Sequence, residues 1–295
     1  LAPLVVDGRD VCLRGREFKL PVASAQVKTA LLLAGLAAEG WTTVEEPVSS
    51  RDHTERLFRH LGVKMEWSQG NTAVAVAGGQ RLHPFQLRIP GDISSAAFVL
   101  SAYAPVPGAE VVVEKVGVNP TRTGILQVLV RMGARVEVDN QTEEGGEPLA
   151  DIRVVGGSLT ATEIGGAEIP LLIDELPVLA VVATQARGRT VIRDAAELRV
   201  KESDRITALA GCLERLGVKA EETPDGLIIP GPQRVRGGEV DSGGDHRIAM
   251  AMAVAALWAD GPVTITGADW VDTSYPGFFQ TLARLTRVEA GERGN

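Results

Sequence analysis

The sequence Leu61-Gly62-Val63-Lys64 ends a predicted amphipathic helix at a glycine and starts a strand immediately afterwards. Two counterparts follow later in the 295-residue chain, Met132-Gly133-Ala134-Arg135 and Leu216-Gly217-Val218-Lys219. Glycine has no Cβ and readily takes the left-handed conformation that terminates many helices, so each tetrapeptide predicts a sharp change from helix to strand. The three occurrences predict that the chain is built from one repeated unit.

Each of these glycines lies downstream of an apolar helix that begins with a small or acidic polar residue. These starts are 70, 80 and 71 residues apart, at Ser24, Ser94, Asp174 and Asp245. A β-branched strand follows each opening helix, at 42–46, 110–114, 190–194 and 262–266. The predicted unit is therefore helix, strand, helix, strand, strand. The fourth copy ends after its second helix, near Leu285, and the polar tail at 289–295 is predicted to be disordered.

The opening helices lack a wide polar face, which is typical of buried helices, whereas the second helices carry charge on one side. This pattern predicts an α/β (α+β) fold in which buried helices are surrounded by sheets. A Pro-Gly pair within 87–92 interrupts the pattern and predicts a domain boundary, with a hinge at about 88–92. The segment 143–148 is predicted to be a polar hairpin loop inside the second copy.

Composition restricts the class of partner. The net charge is -8 and aromatic residues make up 4% of the chain, which disfavours nucleic acid and anionic membranes as partners. The longest apolar run, 248–259, has 12 residues and is too short to span a bilayer. Two cysteines without metal-ligand spacing, and no leader-like segment, predict a reducing cytoplasm. Leu1 is expected not to be the native start, and a local basic cluster is expected to bind a small anion.

Polar residues at predicted helix starts are the candidate binding groups, because unpaired N–H groups and the helix dipole favour anions there. In 20–28, Ser24 and Gln26 offer a hydroxyl and an amide to a phosphate, although a simple Ser24 N-cap is the favoured interpretation of this segment alone. In 49–55, Arg51 suits a bidentate phosphate contact, and the acids on either side of His53 equally suit helix capping. His53 is expected to be a structural hydrogen-bonding residue rather than a metal ligand.

Two further helix starts carry acidic residues, and the second of them also carries cations. Asp174 lies between apolar residues and is either an N-cap or a desolvated general base. Lys201 and Arg205 are four residues apart and are predicted to share a helical face, with Glu202 close by. A solvated charged face is the usual explanation of such a run, but cations at a helix start are unfavourable unless they serve an anion.

The last helix start follows the glycine loop 241–244. His246 and Arg247 lie at the N-terminal end of the helix, where positive charge is unfavourable. Contact with an anionic ligand is therefore favoured over a purely structural role at the helix cap.

Taken together, the five segments resemble the 3-phosphoshikimate 1-carboxyvinyltransferases, or EPSP synthases, of the bacterial type with an Ala-Ser-Ala-Gln-Val-Lys motif, which spans 23–28 here. The resemblance covers about 20–285, and its most specific parts are 51–55, 199–205 and 245–250. It implies an EPSP synthase-like inverse α/β barrel of repeated βαβαββ units, six in all, divided between two domains. Residues 1–88 would be the last repeat of the N-terminal domain, residues 89–295 the C-terminal domain of three repeats, and two repeats would be absent.

The resemblance also implies an activity: transfer of the carboxyvinyl group of phosphoenolpyruvate to the 5-hydroxyl of shikimate 3-phosphate. It assigns shikimate 3-phosphate contacts to Ser24, Ala25, Gln26, Arg51, Asp174 and Lys201, and phosphoenolpyruvate contacts to Gln26, Arg205 and Arg247. It assigns catalytic roles to Asp174, Glu202, Lys201 and His246. It implies no metal, no cofactor and a monomer when full length. Many relatives carry a lysine before Thr-Phe-Pro near the end, where this chain has 273–276, Thr-Ser-Tyr-Pro.

The sequence has two alternative interpretations. A sister enolpyruvyl transferase acts on UDP-N-acetylglucosamine, but the signatures at 51–55 and 245–247 disfavour it. The other alternative is a non-catalytic fragment that needs its missing repeats. The RNA cyclases that share this fold are disfavoured by the acidic charge.

Overall fold

In the computed structural model, which describes residues 5, 7, 8, 11–68, 70 and 72–286, the three predicted helix ends have the same geometry. Gly62, Gly133 and Gly217 are left-handed, with φ of 73°, 110° and 73°. The residue after each glycine donates its N–H to a carbonyl five positions earlier: Val63 to Phe58, Ala134 to Leu129 and Val218 to Leu213, at 2.9, 3.0 and 2.9 Å. This pattern closes a helix while satisfying its last carbonyls. The prediction from the glycine tetrapeptides is confirmed.

The chain divides into two units. One is Leu1–Ile89 with Glu143–Glu147, and the other is Pro90–Thr142 with Pro148–Asn295. The turn predicted as a loop of the second copy therefore groups with the first unit, although the strands on either side belong to the second copy. The tail at 289–295 lies outside the described residues.

The first unit contains one copy of the predicted order, preceded by a short strand. Its elements are β1 (Glu17–Lys19), α1 (Ala25–Leu36), β2 (Trp41–Glu45), α2 (His53–His60), β3 (Met65–Trp67) and β4 (Ala73–Ala77). The sheet has the order β1-β2-β4-β3, with β1 parallel to β2 and the other pairs antiparallel.

The second unit contains three further copies. Its helices are α3 (Ile93–Tyr103), α4 (Gly124–Met132), α5 (Ile169–Leu172), α6 (Leu176–Ala183), α7 (Arg205–Arg215), α8 (His246–Ala256) and α9 (Phe278–Thr286). Its strands are β5 (Glu110–Gly117), β6 (Arg135–Glu144), β7 (Glu147–Val155), β8 (Glu163–Ile164), β9 (Gly188–Ile192), β10 (Glu221–Thr223), β11 (Gly226–Gly231), β12 (Gly238–Asp241) and β13 (Val263–Thr266). Short 3₁₀ turns lie at Gly166–Glu168, Ile173–Glu175, Ala196–Val200 and Ala268–Thr273.

The sheets repeat one pattern. The strand orders in the second unit are β5-β7-β6, β10-β11-β9-β8 and β12-β13. As in the first unit, the strand before an opening helix runs parallel to the strand after it, in the pairs β8 with β9 and β12 with β13. In the second copy that strand is reduced to one parallel bridge, between Gly91 and Val116. The unit is thus βαβαββ, as the resemblance implied.

The predicted burial of the opening helices holds in the second unit. Helices α3, α6 and α8 pack against one another. Every residue of α6 is buried, and so is most of α3 and α8. Because these helices surround each other with apolar side chains, their polar residues are confined mainly to their ends.

The same prediction is wrong for α1. Val27 and Leu33 are 47% and 50% exposed, and the buried residues are confined to one side of the helix: Lys28, Leu32, Gly35 and Leu36. Counted from the N-caps, Val27, Ala30 and Leu33 correspond to Ile248, Ala251 and Val254 of α8, which are all buried. The physical reason is a difference in neighbours. Within the described part of the first unit, α1 has no sister opening helix to pack against.

The hydrophobic cores of the two units differ in size. The described part of the first unit has one small buried cluster, formed by Leu32, Leu36, Val44, Phe58, Val74 and Val76. The second unit has a far larger one, which extends over all three buried helices and the inner faces of its sheets. Since apolar burial is the main stabilising contribution to folding, the second unit holds most of the chain's stability.

Two kinds of feature are absent from the described residues. They contain no group of three or more His, Cys, Asp or Glu side chains arranged to hold a metal ion. They also contain no helix with the length and hydropathy to span a membrane. The two cysteines are free, with Cys12 exposed and Cys212 buried.

Gly217→Ala is expected to lower the free energy of unfolding of the second unit by about 1–2 kcal/mol, because a Cβ is strained in the left-handed region. The matched control is Gly211→Ala inside α7, the helix that ends just before Gly217, because a Cβ at 211 would meet nothing within 4 Å. That variant should be more stable by roughly 0.5–1 kcal/mol. Urea unfolding followed by circular dichroism measures both changes. A Gly217→Ala protein as stable as the parent would show that the helix end does not depend on the left-handed conformation.

Candidate active site

Three cations of the second unit surround one carboxylate. Asp174 lies in the 3₁₀ turn Ile173–Glu175, directly before α6. Its carboxylate oxygens are 3.6 Å from Arg205 Nη1, 3.9 Å from Arg247 Nη2 and 4.0 Å from Lys201 Nζ. Arg247 Nη1 also donates to the Asp174 backbone carbonyl at 3.1 Å. Four residues predicted from three separate segments of the sequence are therefore brought together.

Asp174 is not a helix cap. The residue at the N-cap position of α6 is Glu175, and its side chain makes no capping hydrogen bond. The capping alternative proposed for Asp174 is therefore wrong, because the 3₁₀ turn moves the helix start one residue further on. The turn leaves the Asp174 carboxylate beside the cations instead.

Arg205 is the most buried of these cations, with no exposed surface. Its Nε donates to Asp245 Oδ2 at 2.8 Å, and its Nη2 donates to Glu202 Oε2 at 2.5 Å. The remaining nitrogen, Nη1, is buried and has no hydrogen-bond partner among the described residues. A buried guanidinium requires nearby carboxylates to offset its lost hydration. The arrangement supplies them on two sides and leaves the Nη1 group without a hydrogen bond in the described part of the chain, 3.6 Å from Asp174.

Asp245 connects two helix starts, a role that the sequence did not reveal. It is the N-cap of α8 and accepts from Arg247 N at 2.9 Å, while Ser203 Oγ donates to it at 3.0 Å. Burial alone would raise its pKa, but the hydrogen bond and charge of Arg205 hold the pKa below its ordinary value. Asp245 is thus an ionised carboxylate that fixes the start of α7 to the start of α8.

The charged run 198–205 differs from its predicted geometry. Helix α7 begins only at Arg205, and Lys201 has an extended backbone. Lys201 and Arg205 therefore do not share a helical face, because the chain bends at 201–203 and α7 starts only after its N-cap, Asp204. Both cations nevertheless reach Asp174. Lys201 is also paired with Glu197 Oε1 at 2.8 Å.

Glu202 and His246 occupy the rim of the group. The Glu202 side chain is 54% exposed and bonds to Arg205. His246 is the first residue of α8. Burial and then the charge of Arg247 lower the pKa of His246, so its imidazole is neutral at pH 7. A neutral imidazole can donate or accept one hydrogen bond without adding a fourth positive charge.

A second buried carboxylate lies next to Asp174 and was missed at the sequence level. Glu175 accepts a short hydrogen bond from Ser94 Oγ, and Arg122 Nη2 donates to the same hydroxyl at 2.7 Å. Burial raises the pKa of Glu175. These contacts attach the start of α3 to the turn that carries Asp174. Nothing in the local sequence distinguishes Glu175 from an ordinary surface acid.

The first unit carries the remaining predicted residues. Ser24 is the N-cap of α1, and its Oγ accepts from Val27 N at 3.3 Å. Ala25 and Gln26 form the first turn, where backbone N–H groups have no partner within the helix. Arg51 lies in the loop between β2 and α2 and is half-buried. The N-cap interpretation of Ser24 is confirmed, and it is compatible with anion binding at the same turn.

His53 is a hydrogen-bonding residue, as expected. Its Nδ1 is 2.7 Å from Glu147 Oε1. Asp52 is at the N-cap position of α2 but makes no capping bond, because its carboxylate is paired with Arg56 Nε at 2.9 Å. The interpretation that the acids of 49–55 cap α2 is therefore not supported for Asp52.

A family model described as EPSP synthase (3-phosphoshikimate 1-carboxyvinyltransferase) matches residues 1–282. The chain belongs to the EPSP synthase family. The resemblance drawn from 51–55, 199–205 and 245–250 is confirmed.

Relatives within the EPSP synthase family are similar over nearly the whole chain. The 3-phosphoshikimate 1-carboxyvinyltransferase of Synechococcus sp. (strain JA-3-3Ab) is 55% identical over 285 residues, which cover 97% of this chain and 64% of the relative. That of Bacillus subtilis (strain 168) is 50% identical over 286 residues, covering 97% of this chain and 66% of the relative. The chain thus spans slightly less than two thirds of the length of these relatives.

Solved structures agree with the fold. An EPSP synthase structure from Acinetobacter baumannii matches with a TM-score of 0.87 and 45% identity, over 93% of this chain and 63% of that one. The enolpyruvyl transferase NikO from Streptomyces tendae matches with a TM-score of 0.70 and 22% identity, over 86% of this chain and 57% of that one. The second similarity is one of fold alone. The predicted EPSP synthase-like α/β architecture is confirmed.

Asp245→Asn is expected to lower the free energy of unfolding of the second unit by about 3–5 kcal/mol, because Arg205 loses its buried anionic partner. Glu221→Gln is the control, since Glu221 and Arg189 form an exposed pair 4.0 Å apart. It should change stability by less than about 0.5 kcal/mol.

The pKa of Asp245 is lowered in the folded state, so its contribution is present above the ordinary value of 3.8 and is lost as pH falls through the lower folded value. Urea unfolding at pH 7 and at acidic pH measures both effects. An Asp245→Asn protein with unchanged stability at pH 7 would contradict the assignment.

Proposed function

We propose that this chain, as part of a complete enzyme, transfers the carboxyvinyl group of phosphoenolpyruvate to the 5-hydroxyl of shikimate 3-phosphate. Family membership supports the reaction class. The observation that carries the proposal to these residues is the buried Nη1 of Arg205, which has no hydrogen-bond partner among the described residues and lies 3.6 Å from the carboxylate of Asp174, the same carboxylate that Lys201 and Arg247 approach within 4.0 Å. An incoming carboxylate or phosphate oxygen satisfies that N–H group and the two neighbouring cations together.

The charges are suited to polyanionic substrates. Arg205 and Arg247 lie in the first turns of α7 and α8, where the helix dipole disfavours cations. Their distances to the Asp174 carboxylate, 3.6 and 3.9 Å, are longer than hydrogen bonds, so both retain donors for a ligand. We assign Arg205 and Arg247, with Gln26 of the first unit, to phosphoenolpyruvate.

The first unit is assigned to the other substrate. The α1 start provides the Ser24 hydroxyl and the N–H groups of Ala25 and Gln26, which suit a phosphate. Arg51 adds a guanidinium for the same anion. In this proposal Asp174 and Lys201 contact the ring hydroxyls of shikimate 3-phosphate.

The chemistry requires two proton-handling groups. The 5-hydroxyl oxygen attacks C2 of phosphoenolpyruvate and loses its proton, while C3 gains a proton to give a tetrahedral adduct. C3 then loses a proton as the C2–O bond to phosphate breaks, which restores the double bond and releases phosphate. We assign the first proton to Asp174 and those at C3 to Glu202, with Lys201 able to share either role. Neutral His246 positions and polarises the reacting groups.

The first test uses a chimera in which this chain replaces the matching 285 residues of the Synechococcus relative. Phosphate release is measured with shikimate 3-phosphate and phosphoenolpyruvate, beside the 295-residue chain alone. We expect turnover by the chimera. A folded chimera that releases phosphate only with UDP-N-acetylglucosamine, or with neither acceptor, contradicts the proposal. Turnover by the chain alone would show that the unmatched part of the relatives is dispensable.

Asp174→Asn and Glu202→Gln are expected to lower kcat of the chimera by about 10²–10⁴, because each removes a proton-handling group while keeping its shape. Glu214→Gln, an exposed change on α7, is the control and should leave kcat unaltered. Steady-state kinetics with both substrates measure the change. Near-normal kcat in either active-site variant would show that its proton assignment is wrong. The cytoplasmic location and monomeric state stay predictions.

A further inference from the structure

A buried ion cluster lies beneath the proposed phosphate-binding turn of the first unit. Lys28 of α1 is 4% exposed. Its Nζ is 2.9 Å from Glu46 Oε2 and 2.7 Å from Glu55 Oε1, and both carboxylates are buried. Glu46 follows β2 directly, and Glu55 lies in the first turn of α2. One lysine therefore connects three consecutive elements.

Glu46 holds two separate segments of the proposed site. Its Oε1 accepts from Ser24 N at 2.9 Å, at the cap of α1. Its Oε2 accepts from Ser50 Oγ at 2.8 Å and from Ser50 N at 3.3 Å, in the residue before Arg51. Burial alone would raise its pKa, but bonds from Lys28, Ser50 and Ser24 lower it, so Glu46 is ionised. Both oxygens of one carboxylate are thus committed to the segments that carry the proposed anion contacts.

A further contact reinforces the same geometry. The Thr29 and Thr54 hydroxyls are 2.5 Å apart and join the starts of α1 and α2. Stability alone is a weak explanation for the cluster. Well-packed apolar residues of similar volume often stabilise the folded protein as much as a buried ion pair does, or more. A fixed geometry is what hydrogen-bonded charges add, since each bond restricts direction as well as distance.

We propose that Glu46, held in place by Lys28, is a positioning residue that keeps the α1 start and the Arg51 loop in register to bind one phosphate group. The inference rests on the proposed function, since it names how that site is preorganised. Lys28 and Glu46 themselves need not touch the ligand. Their effect on binding is exerted through Ser24, Ser50 and the loop that leads to Arg51.

The test compares Glu46→Gln with the triple variant Lys28→Met, Glu46→Gln, Glu55→Gln, which removes the charges as a group and avoids a buried unpaired ion. Lys19→Met is the matched control, because the Lys19–Glu45 pair has the same chemistry at 2.9 Å but is exposed on the same sheet. In the chimera, KM for shikimate 3-phosphate is expected to rise on the order of tenfold or more, as for the loss of a hydrogen bond to a charged group. The kcat, and KM for phosphoenolpyruvate, should stay within about twofold, which a general loss of structure would not produce.

A second measurement does not depend on the substrate. Amide hydrogen exchange at Ser24 and Ser50 in the 295-residue chain should be faster, by on the order of tenfold, in both cluster variants and unchanged in Lys19→Met. If both variants fold and keep parental exchange and KM, the inference is overturned. It is also overturned if neither variant folds, since the cluster is then a stability element. Should the parental chimera lack turnover, the proposed function fails, and the exchange rates still decide whether Glu46 positions these segments.

Discussion

The burial of the Arg205 guanidinium determines how the polar end of the second unit is arranged. Its charge faces Asp245 at the start of α8, Glu202 just before α7 and Asp174 just before α6. Without these carboxylates, a fully buried guanidinium would cost several kcal/mol in lost hydration. The three helix starts must therefore meet at one place. That requirement also brings Lys201 and Arg247 within 4.0 Å of Asp174.

The apolar helices explain why this chemistry is found at helix starts. Helices α3, α6 and α8 bury most of their sides against each other and the sheets, so their sides have little room for a charged group. Their N-terminal ends also offer unpaired N–H groups to anions. Ser94 at the start of α3 joins the same end through Glu175. The fold thus separates an apolar core from a polar end within each helix.

Much of the fold could be predicted because a glycine that ends a helix, such as Gly62 or Gly217, can be recognised from the few residues around it. The exposure of α1 could not be predicted. The hydrophobicity of a helix shows which of its faces can be buried, but not which other helices are present to pack against it. Cations at helix starts, such as Arg247, were visible because they oppose the helix dipole. Lys28 and Glu175 were not, because a charged residue in an apolar stretch of sequence resembles a surface residue until its distant partner is known.

The open side of α1 affects how the chain unfolds. The described part of the first unit has one buried apolar cluster of six residues, while Val27 and Leu33 remain in water. A domain with so little buried area is marginal, so this unit opens at lower denaturant than the second unit, and one two-state free energy does not describe the whole chain. Since a ligand stabilises the state that binds it, a phosphate held at Ser24 and Arg51 would raise the first transition and leave the second where it was.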